Sequence, residues 1–270
     1  MATARVGTRR KHRRHPVAAP IVETFAEHNL LTYAAAIAFQ GLVALVPLTL
    51  LGLGLLGATG RQEVWTKHIA PVVEGRVTPA VYRAIDDIVS RILDHGTAGL
   101  IAFSVVLSLW YLTAAMRAVI EALNRIHDVD DDRRWLHRLA VAVGLGAAAG
   151  VALYGAAVLV VGGPRGVVLG LVRWVGAVLL LGLLVGLLVR YAPAQRPRAR
   201  WASLGAAFVV GSWVVASLLF RLYVTYLADF KSPIGTMTSL LVLTTYLFVS
   251  SIVFLVGVQL DELLRKRRRA

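Results

Sequence analysis

Residues 31–57 read LTYAAAIAFQGLVALVPLTLLGLGLLG, a run of 27 residues without a charged side chain. About 20 mostly apolar residues suffice for a helix to cross the hydrocarbon core of a bilayer. The run is therefore long enough to span a membrane, and it is too long for the apolar region of a cleavable signal peptide. Pro47 should kink this helix, because proline removes one backbone hydrogen bond and crowds the preceding turn.

The composition of the whole chain points to the same class of protein. Of 270 residues, 57% are apolar and 16% are charged, and the mean hydropathy is +0.69. These values are typical of a polytopic membrane protein rather than a soluble domain. The chain contains no cysteine, which excludes disulfides, zinc–thiolate sites and iron–sulfur clusters.

Six apolar runs of membrane-spanning length follow one another along the sequence. They form one predicted domain, residues 31–261, between a basic N-terminal arm at 1–30 and a basic tail at 262–270. We predict an all-α, polytopic membrane protein whose six transmembrane helices lie at 31–58, 98–120, 139–162, 167–189, 203–227 and 239–261.

Lysine and arginine are distributed unequally between the two sides of these helices. The segments on the side of the termini hold 19 of the 29 Lys and Arg residues, whereas those on the opposite side hold 7. By the positive-inside rule, both termini are expected in the cytoplasm. The net charge of +14 is then explained mainly by membrane topology and by the attraction of basic residues to anionic lipid head groups. No specific nucleic-acid partner is expected.

The segment 59–97 is the one long loop between predicted spans, and it is expected outside. Thr78 and Pro79 are suited to begin a helix there, and Gly96 follows its expected end. Such an amphipathic helix should lie on the outer membrane surface or cap the bundle. Its predicted apolar face carries Val81, Ile85, Ile88 and Ile92.

Residues 108–130, SLWYLTAAMRAVIEALNRIHDVD, combine a spanning helix with a charged stripe. Arg117, Glu121, Asn124 and Asp128 fall on one helical face, and Arg125 lies beside it. One interpretation is an interfacial pair in which Glu121 holds Arg117 and fixes the helix end. The other is the cytoplasmic lining of a cavity, which the one-sided placement favours.

Three further features bear on a polar path. Arg221 lies deep in the fifth span, and Thr225 and Asp229 follow on its face, either lining a path or anchoring the outer helix end. Gln40 either makes a hydrogen bond between helices or, with Pro47 as a hinge, belongs to a kinked helix that lines a polar path. Arg173 is expected to anchor the outer end of its helix. The predicted path comprises Gln40, Arg117, Glu121, Asn124, Arg125, Arg221, Thr225 and Asp229.

Small residues recur at helical spacing within the spans. Gly146 and Gly150, Gly166 and Gly170, and Gly182 and Gly186 each form a Gly-x-x-x-Gly pair. Such pairs let helix backbones approach closely in lipid. They support a compact bundle and would equally serve a homo-oligomer.

Three ordered stretches resemble the YihY/BrkB family of bacterial inner-membrane proteins. They are the run at 31–57 quoted above, SLWYLTAAMRAVIEALNRIHDV at 108–129, and FRLYVTYLADFKSPIGTMTSLLVLTTYLFVSSIVFLVGVQLDELLRKR at 220–267. The resemblance implies a six-helix protein of the inner membrane, linked to envelope integrity and virulence, for which export or lipid translocation is proposed. Family members often carry two tyrosines at the places of Phe39 and Gln40, a serine at Ala44, and a glutamate at Gln259. The resemblance therefore gives no support for ion coupling at those places in this chain.

The resemblance also brings a label, ribonuclease BN, that the residues do not support. A metal-dependent nuclease needs clustered His and Asp ligands, whereas the seven His residues are scattered. The acidic run Asp130-Asp131-Asp132 is followed by Arg133 and Arg134 and is interpreted as a solvated loop. We predict no enzymatic site, no metal and no cofactor.

The leading hypothesis is a transporter-like protein that moves an anionic amphipathic substrate, such as a lipid, across the inner membrane. Arg117 and Arg221 would attract the anionic head group, and Glu121 and Asp229 would hold them in place. The alternative is a non-transporting envelope scaffold whose outer loop docks partners and whose glycine faces make oligomers.

Overall fold

The computed structural model describes residues 29–95, 98–161, 167–194 and 204–267. Most of the predicted N-terminal arm and residues 268–270 of the predicted tail lie outside these ranges. The helices are α1 Leu30–Ala58, α2 Ala70–Glu74, α3 Pro79–His95, α4 Ala98–Ile126, α5 Trp135–Val161, α6 Val167–Tyr191, α7 Leu204–Tyr226 and α8 Pro233–Arg267. A π-helical turn at Trp65–Ile69 precedes α2.

Six of these helices, α1 and α4 to α8, are long and apolar enough to cross a membrane. The described residues contain no β-strand. The predicted all-α class and the number of spans are therefore confirmed, and the helical segment after α1 is present as α2 and α3.

Two helices, α4 and α8, extend well beyond the predicted spans. α4 continues to Ile126 rather than ending at residue 120, so Arg117, Glu121, Asn124 and Arg125 are helical. The prediction that Asp128 continues their helical face is wrong, because Asp128 follows the helix with a φ of 51°. α8 has 35 residues and is therefore about 52 Å long, well beyond the roughly 30 Å hydrocarbon core. Hydropathy detects only the membrane-embedded part of a helix, and backbone hydrogen bonding continues past it.

The two ends of the bundle are formed by different segments of the chain. We call the end where α1 begins and α8 ends the basic end, and the end that carries residues 59–97 the loop end. α1 packs against α4 and α8, α5 packs on α4, α6 on α5, and α7 on α8. α6 and α7 barely touch, so the bundle is almost open between them. The main core lies toward the basic end, where Leu30, Ile120, Leu123 and Leu255 are fully buried.

Glycine sets the closest helix contacts. A Cβ atom at Gly146 of α5 would lie 3.1 Å from the backbone nitrogen of Thr113 in α4. Gly150 faces Leu112 of the same helix at 3.2 Å. This predicted glycine pair therefore serves packing within the chain. The closest crossing is between Gly205 of α7 and Gly257 of α8, where no Cβ fits.

The loop end is covered by α3, which packs only part of its apolar surface against the bundle. Val89 and Leu93 are buried with Trp65, whereas Val81 and Ile88 remain 47% and 58% exposed. Val81 and Ile88 of the predicted apolar face therefore do not pack against the described residues, and the placement of that face on the outer membrane surface stays a prediction. Two contacts hold α3 in this orientation. Leu93 contacts Gly57 at the end of α1, and the Trp65 indole nitrogen donates to Asp86 Oδ1 at 2.9 Å.

Two polar contacts complete the loop end. The Arg76 guanidinium donates to the carbonyl of Val224, in the last turn of α7, where helix carbonyls lack an intrahelical partner. Partial burial and, secondarily, the Asp86 carboxylate raise the pKa of Tyr82 above its ordinary value. The segment 59–95 is thus tied to both α1 and α7.

Candidate functional site

Glu121 lies in an ionic cluster at the basic end. The Arg138 guanidinium of α5 donates to Glu121 Oε2, and Arg125 Nε lies 3.9 Å from Glu121 Oε1. Arg117 is exposed, and within the described ranges no ion pair joins it to Glu121. The predicted pairing of Glu121 with Arg117 is therefore replaced by a contact between α4 and α5.

Asn124 is buried and connects α4 to the turn that follows α6. Its Oδ1 accepts the backbone N–H of Ala194 at 2.9 Å, and its Nδ2 donates to Asp131 Oδ2 at 3.3 Å. Both halves of the amide are therefore bonded. In this structure Asn124 joins helices rather than facing an open path.

Arg133 closes the same junction. Its guanidinium donates to the carbonyl of Ala192 at 3.4 Å and to that of Pro193, just beyond the end of α6. Its backbone N–H donates to Asp131 Oδ1 at 3.1 Å, and Arg138 Nε lies 3.5 Å from Asp131 Oδ2. The Asp131 side chain is only 7% exposed, so its interpretation as part of a solvated loop is wrong.

A second buried cluster attaches α8 to α4. His127 Nε2 lies 3.8 Å from Glu262 Oε2, and Arg265 Nη2 donates to Glu262 Oε1 at 2.7 Å. His127 Nδ1 is 2.7 Å from the Leu123 carbonyl, which fixes the orientation of the ring. The sequence carried no periodic signal for this cluster, because its residues come from distant segments.

We call these two groups together the basic-end latch. It comprises Glu121, Asn124, His127, Asp131, Arg133, Arg138, Glu262 and Arg265. The latch joins α4, α5, α6 and α8 where the bundle is most tightly packed. Three predicted path residues, Glu121, Asn124 and Arg125, therefore lie in or beside a closed junction.

A cavity of about 350 Å³ lies between α5, α6 and α7, where α6 and α7 separate. Its walls are apolar, with small residues at Ala156, Ala177 and Gly182, and with Trp174 and Trp213. We call it the lateral cavity. Val185 and Val209, both buried, belong to the core next to its basic-end side.

The α7 wall of the lateral cavity carries the few polar groups. Trp213 Nε1 donates to the carbonyl of Ser250 in α8 at 3.0 Å, which fixes the indole ring. Ser217 Oγ is 2.9 Å from the hydroxyl of Tyr246. Both groups are bonded to α8, so the cavity itself presents mostly hydrocarbon.

Arg221 and Thr225 extend the cavity face of α7 toward the loop end. They follow the lining residue Ser217 at steps of four, which keeps all three on one helical face. Both are exposed. Asp229 instead accepts the backbone N–H of Lys231 at 3.0 Å in the turn after α7, and in the described part of the chain no ion pair joins it to Arg221.

The remaining predicted residues lie in α1. Gln40 is half-buried, and its Oε1 has no hydrogen-bond partner among the described residues. Pro47 is buried inside a helix that continues through it, and the Tyr154 hydroxyl donates to the next carbonyl, that of Leu48. The role of Pro47 as a hinge stays a prediction. Across the described ranges, no group of three His, Asp or Glu side chains could hold a metal ion.

Comparison with known proteins identifies relatives along almost the whole chain. The family model described as virulence factor BrkB matches residues 21–270. The ribonuclease-like protein YfkH of Bacillus subtilis (strain 168) is 24% identical over 257 residues, covering 90% of this chain and 92% of that relative. No solved structure matches.

Two longer relatives share a similar level of identity. A UPF0761 membrane protein of Alkalilimnicola ehrlichii is 26% identical over 262 residues, covering 90% of this chain and 57% of the relative. Another, from Chromohalobacter salexigens, is 26% identical over 262 residues, covering 93% of this chain and 63% of the relative. This chain therefore corresponds to roughly three fifths of those two proteins.

Proposed function

This chain belongs to the BrkB virulence factor family, and from that premise we propose that it is a transporter-like protein that moves an anionic, amphipathic lipid across the membrane. The basic end would face the cytoplasm, following the distribution of Lys and Arg, and the membrane would be the bacterial inner membrane. Independently of this proposal, the chain is an integral membrane protein of the BrkB and UPF0761 type.

The lateral cavity is the observation that carries the proposal. Its volume of about 350 Å³ lies in the range of small-ligand sites, and its apolar walls suit a hydrocarbon chain. The gap between α6 and α7 would admit that chain sideways from the bilayer. Arg221, on the same face of α7, would attract an anionic head group at the loop end.

The basic-end latch supplies the second element of a transport cycle. In the present arrangement, contacts among α4, α5, α6 and α8 close the bundle at the basic end, while α6 and α7 are separated beside the cavity. Alternating access requires one end to close when the other opens. The predicted path residues Glu121, Asn124 and Arg125 would line the route once the latch opens.

Neutralising Arg221 should slow translocation. We expect Arg221→Gln to reduce the initial rate of transfer of a fluorescent phosphatidylglycerol in proteoliposomes about tenfold, because a charge-assisted hydrogen bond to the head group is lost. Lys231→Gln is the matched control, since Lys231 is an exposed cation at the same end but follows α7. Equal rates for Arg221→Gln and the unaltered protein, at equal protein content, would remove Arg221 from the site.

The scaffold alternative is favoured by one observation, the exposed apolar stripe on α3. Val81 and Ile88 lie on the loop-end surface without cover from the described part of the chain. If this stripe docks a partner, Ile88→Asp should remove co-purifying proteins from the envelope fraction. Translocation in proteoliposomes should stay unchanged in the same variant, because the stripe lies on α3 and outside the lateral cavity.

A further inference from the structure

The Arg76 guanidinium lies on the cavity side of α7, near the end of that helix. It comes from the turn after α2 and donates to the carbonyl of Val224. Val224 follows the lining residue Ser217 by seven residues, which is nearly two full turns, so the two positions lie within about 20° of each other around the helix axis. The loop-end segment therefore supplies a cation to the face of α7 that borders the lateral cavity.

Arg221 lies beside this contact on the same face of α7. It follows Ser217 by four residues and is about 40° from it around the axis, in the opposite sense to Val224. The lining residues of α7 centre close to Ser217, so Arg221 and Val224 flank the middle of the cavity face. Their backbones are about 4.5 Å apart along the axis, since each residue rises 1.5 Å. That spacing is shorter than an extended arginine side chain, so the Arg221 guanidinium can lie beside that of Arg76.

These two guanidinium groups lack an anionic partner from the described part of the chain. Arg221 is exposed and forms no hydrogen bond or ion pair there, although it belongs to a membrane-spanning helix. The Arg76 guanidinium forms no ion pair there either, and its bond to Val224 occupies only part of its five N–H donors. Neighbouring cations repel each other, and an arginine at membrane depth is costly without a partner. An anion bound between the two would offset both effects.

We propose that Arg76 and Arg221 together bind the phosphate of an anionic phospholipid whose acyl chain lies in the lateral cavity. This inference rests on the proposed function, and it adds a second cation and the chemical class of the head group. Planar guanidinium groups suit phosphate because each can donate two parallel hydrogen bonds to its oxygens. A zwitterionic head group would bring its own cation toward both arginines, which disfavours it.

The surroundings of the two arginines make a lipid the occupant rather than free phosphate. Arg221 lies one turn beyond Ser217 and just over one turn before the end of α7, which is the depth at which the head groups of a bilayer begin. On the other side of Ser217 the cavity walls are apolar, and small residues at Ala156, Ala177 and Gly182 leave the space between them. An acyl chain buries apolar surface in that space, whereas a free anion gains nothing from it.

Tryptophan fluorescence gives a direct assay, because Trp174 and Trp213 line the cavity. The full chain is reconstituted in phosphatidylcholine vesicles containing either brominated phosphatidate or brominated phosphatidylcholine. The measured quantity is the part of the quenching that Trp174→Phe removes. We expect this part to be half-maximal at about tenfold less phosphatidate than phosphatidylcholine, because only phosphatidate offers both arginines a phosphate without its own cation.

Arg76→Gln and Arg221→Gln should each abolish that preference, and the double variant should lose nothing further, because both side chains hold one phosphate. Arg76→Lys keeps a charge and a donor for the Val224 carbonyl, so it should fold normally and reduce the preference. Arg61→Gln is the control and should preserve the preference, since Arg61 is an exposed loop-end cation in the turn after α1. A merely structural role for Arg76 would weaken quenching by both lipids equally, which would contradict the site.

Three further results would overturn the site. The first is equal quenching by the two lipids in the unaltered protein. The second is loss of the preference in millimolar inorganic phosphate, which would indicate a site for the free anion. The third is unchanged quenching in Gly182→Leu, because the Gly182 position has room for a side chain that should fill the cavity and exclude either lipid. Head-group preference without translocation would defeat the proposed function alone, and translocation without preference would defeat the two-arginine site alone.

Discussion

Gly205→Ala is expected to leave little folded protein. The added Cβ would overlap the carbonyl oxygen of Gly257 and lie 2.6 Å from Cγ of Asp261. The Gly205 N–H also donates to Asp261 Oδ1 at 2.8 Å, so the backbone of α7 is held against α8 at this point. Relieving this overlap requires the two helices to separate, and we expect a cost of about 3 kcal/mol, the upper end of the usual range for overpacking, because the clash is with backbone. Melting of the detergent-solubilised protein measures the loss.

The control for this prediction lies on the same helix. A Cβ at Gly211 meets nothing within 4 Å among the described residues, and alanine is a better helix former than glycine by up to about 1 kcal/mol. Gly211→Ala should therefore melt at the same temperature as the unaltered protein or slightly higher. Equal melting of the Gly205→Ala and Gly211→Ala variants would contradict the close crossing of α7 and α8.

Much of the fold follows from the sequence because each span carries its own signal. An uncharged run such as 31–57 has to bury its backbone polar groups in a helix when it crosses lipid, whatever its neighbours are. The helix at 79–95 was equally predictable from Thr78, Pro79 and Gly96. Which face of that helix packs was not, because Trp65 and Gly57 decide it from outside the helix.

The candidate site was less predictable, because it depends on which helices are neighbours. Glu121 has Arg117 and Arg125 at i−4 and i+4, and local spacing favours neither over Arg138, which comes from α5. Asp131 lies in a run of charged residues typical of a solvated loop, yet Asn124 and Arg133 enclose it.

The spacing of residues in the sequence does not predict that α6 and α7 are separated. Both helices carry glycine and alanine that would permit close approach, and the glycine pair at 146 and 150 does make such a contact with α4. Along α6, by contrast, Gly182 meets only one distant methyl group and Gly170 meets nothing within 4 Å in the described part of the chain. Small residues thus close one interface and leave space at the other.

Arg133→Met should destabilise the protein by about 3 kcal/mol, because it removes one partner from a buried ionic group. The Arg133 side chain is 15% exposed, and it donates to the carbonyls of Ala192 and Pro193 while lying 3.9 Å from Asp131. Methionine preserves much of the side-chain length but leaves both carbonyls and the carboxylate short of a donor. The neighbouring Arg134 is exposed, so Arg134→Met should change stability by less than about 0.5 kcal/mol. Denaturant unfolding of the two variants in detergent provides the comparison.

A double-mutant cycle with Asp131→Asn tests whether the loss arises in the latch. The neutral amide can still accept from the Arg133 backbone, so the double variant should lose clearly less than the sum of the two single variants. Additive losses, or equal losses for Arg133→Met and Arg134→Met, would show that the basic end is not held by this contact. The same variants bear on transport, because a latch that must open in each cycle should open more readily when weakened. Arg133→Met should then translocate lipid faster per folded molecule than the unaltered protein. An unchanged rate per folded molecule would indicate that the junction does not open during transport.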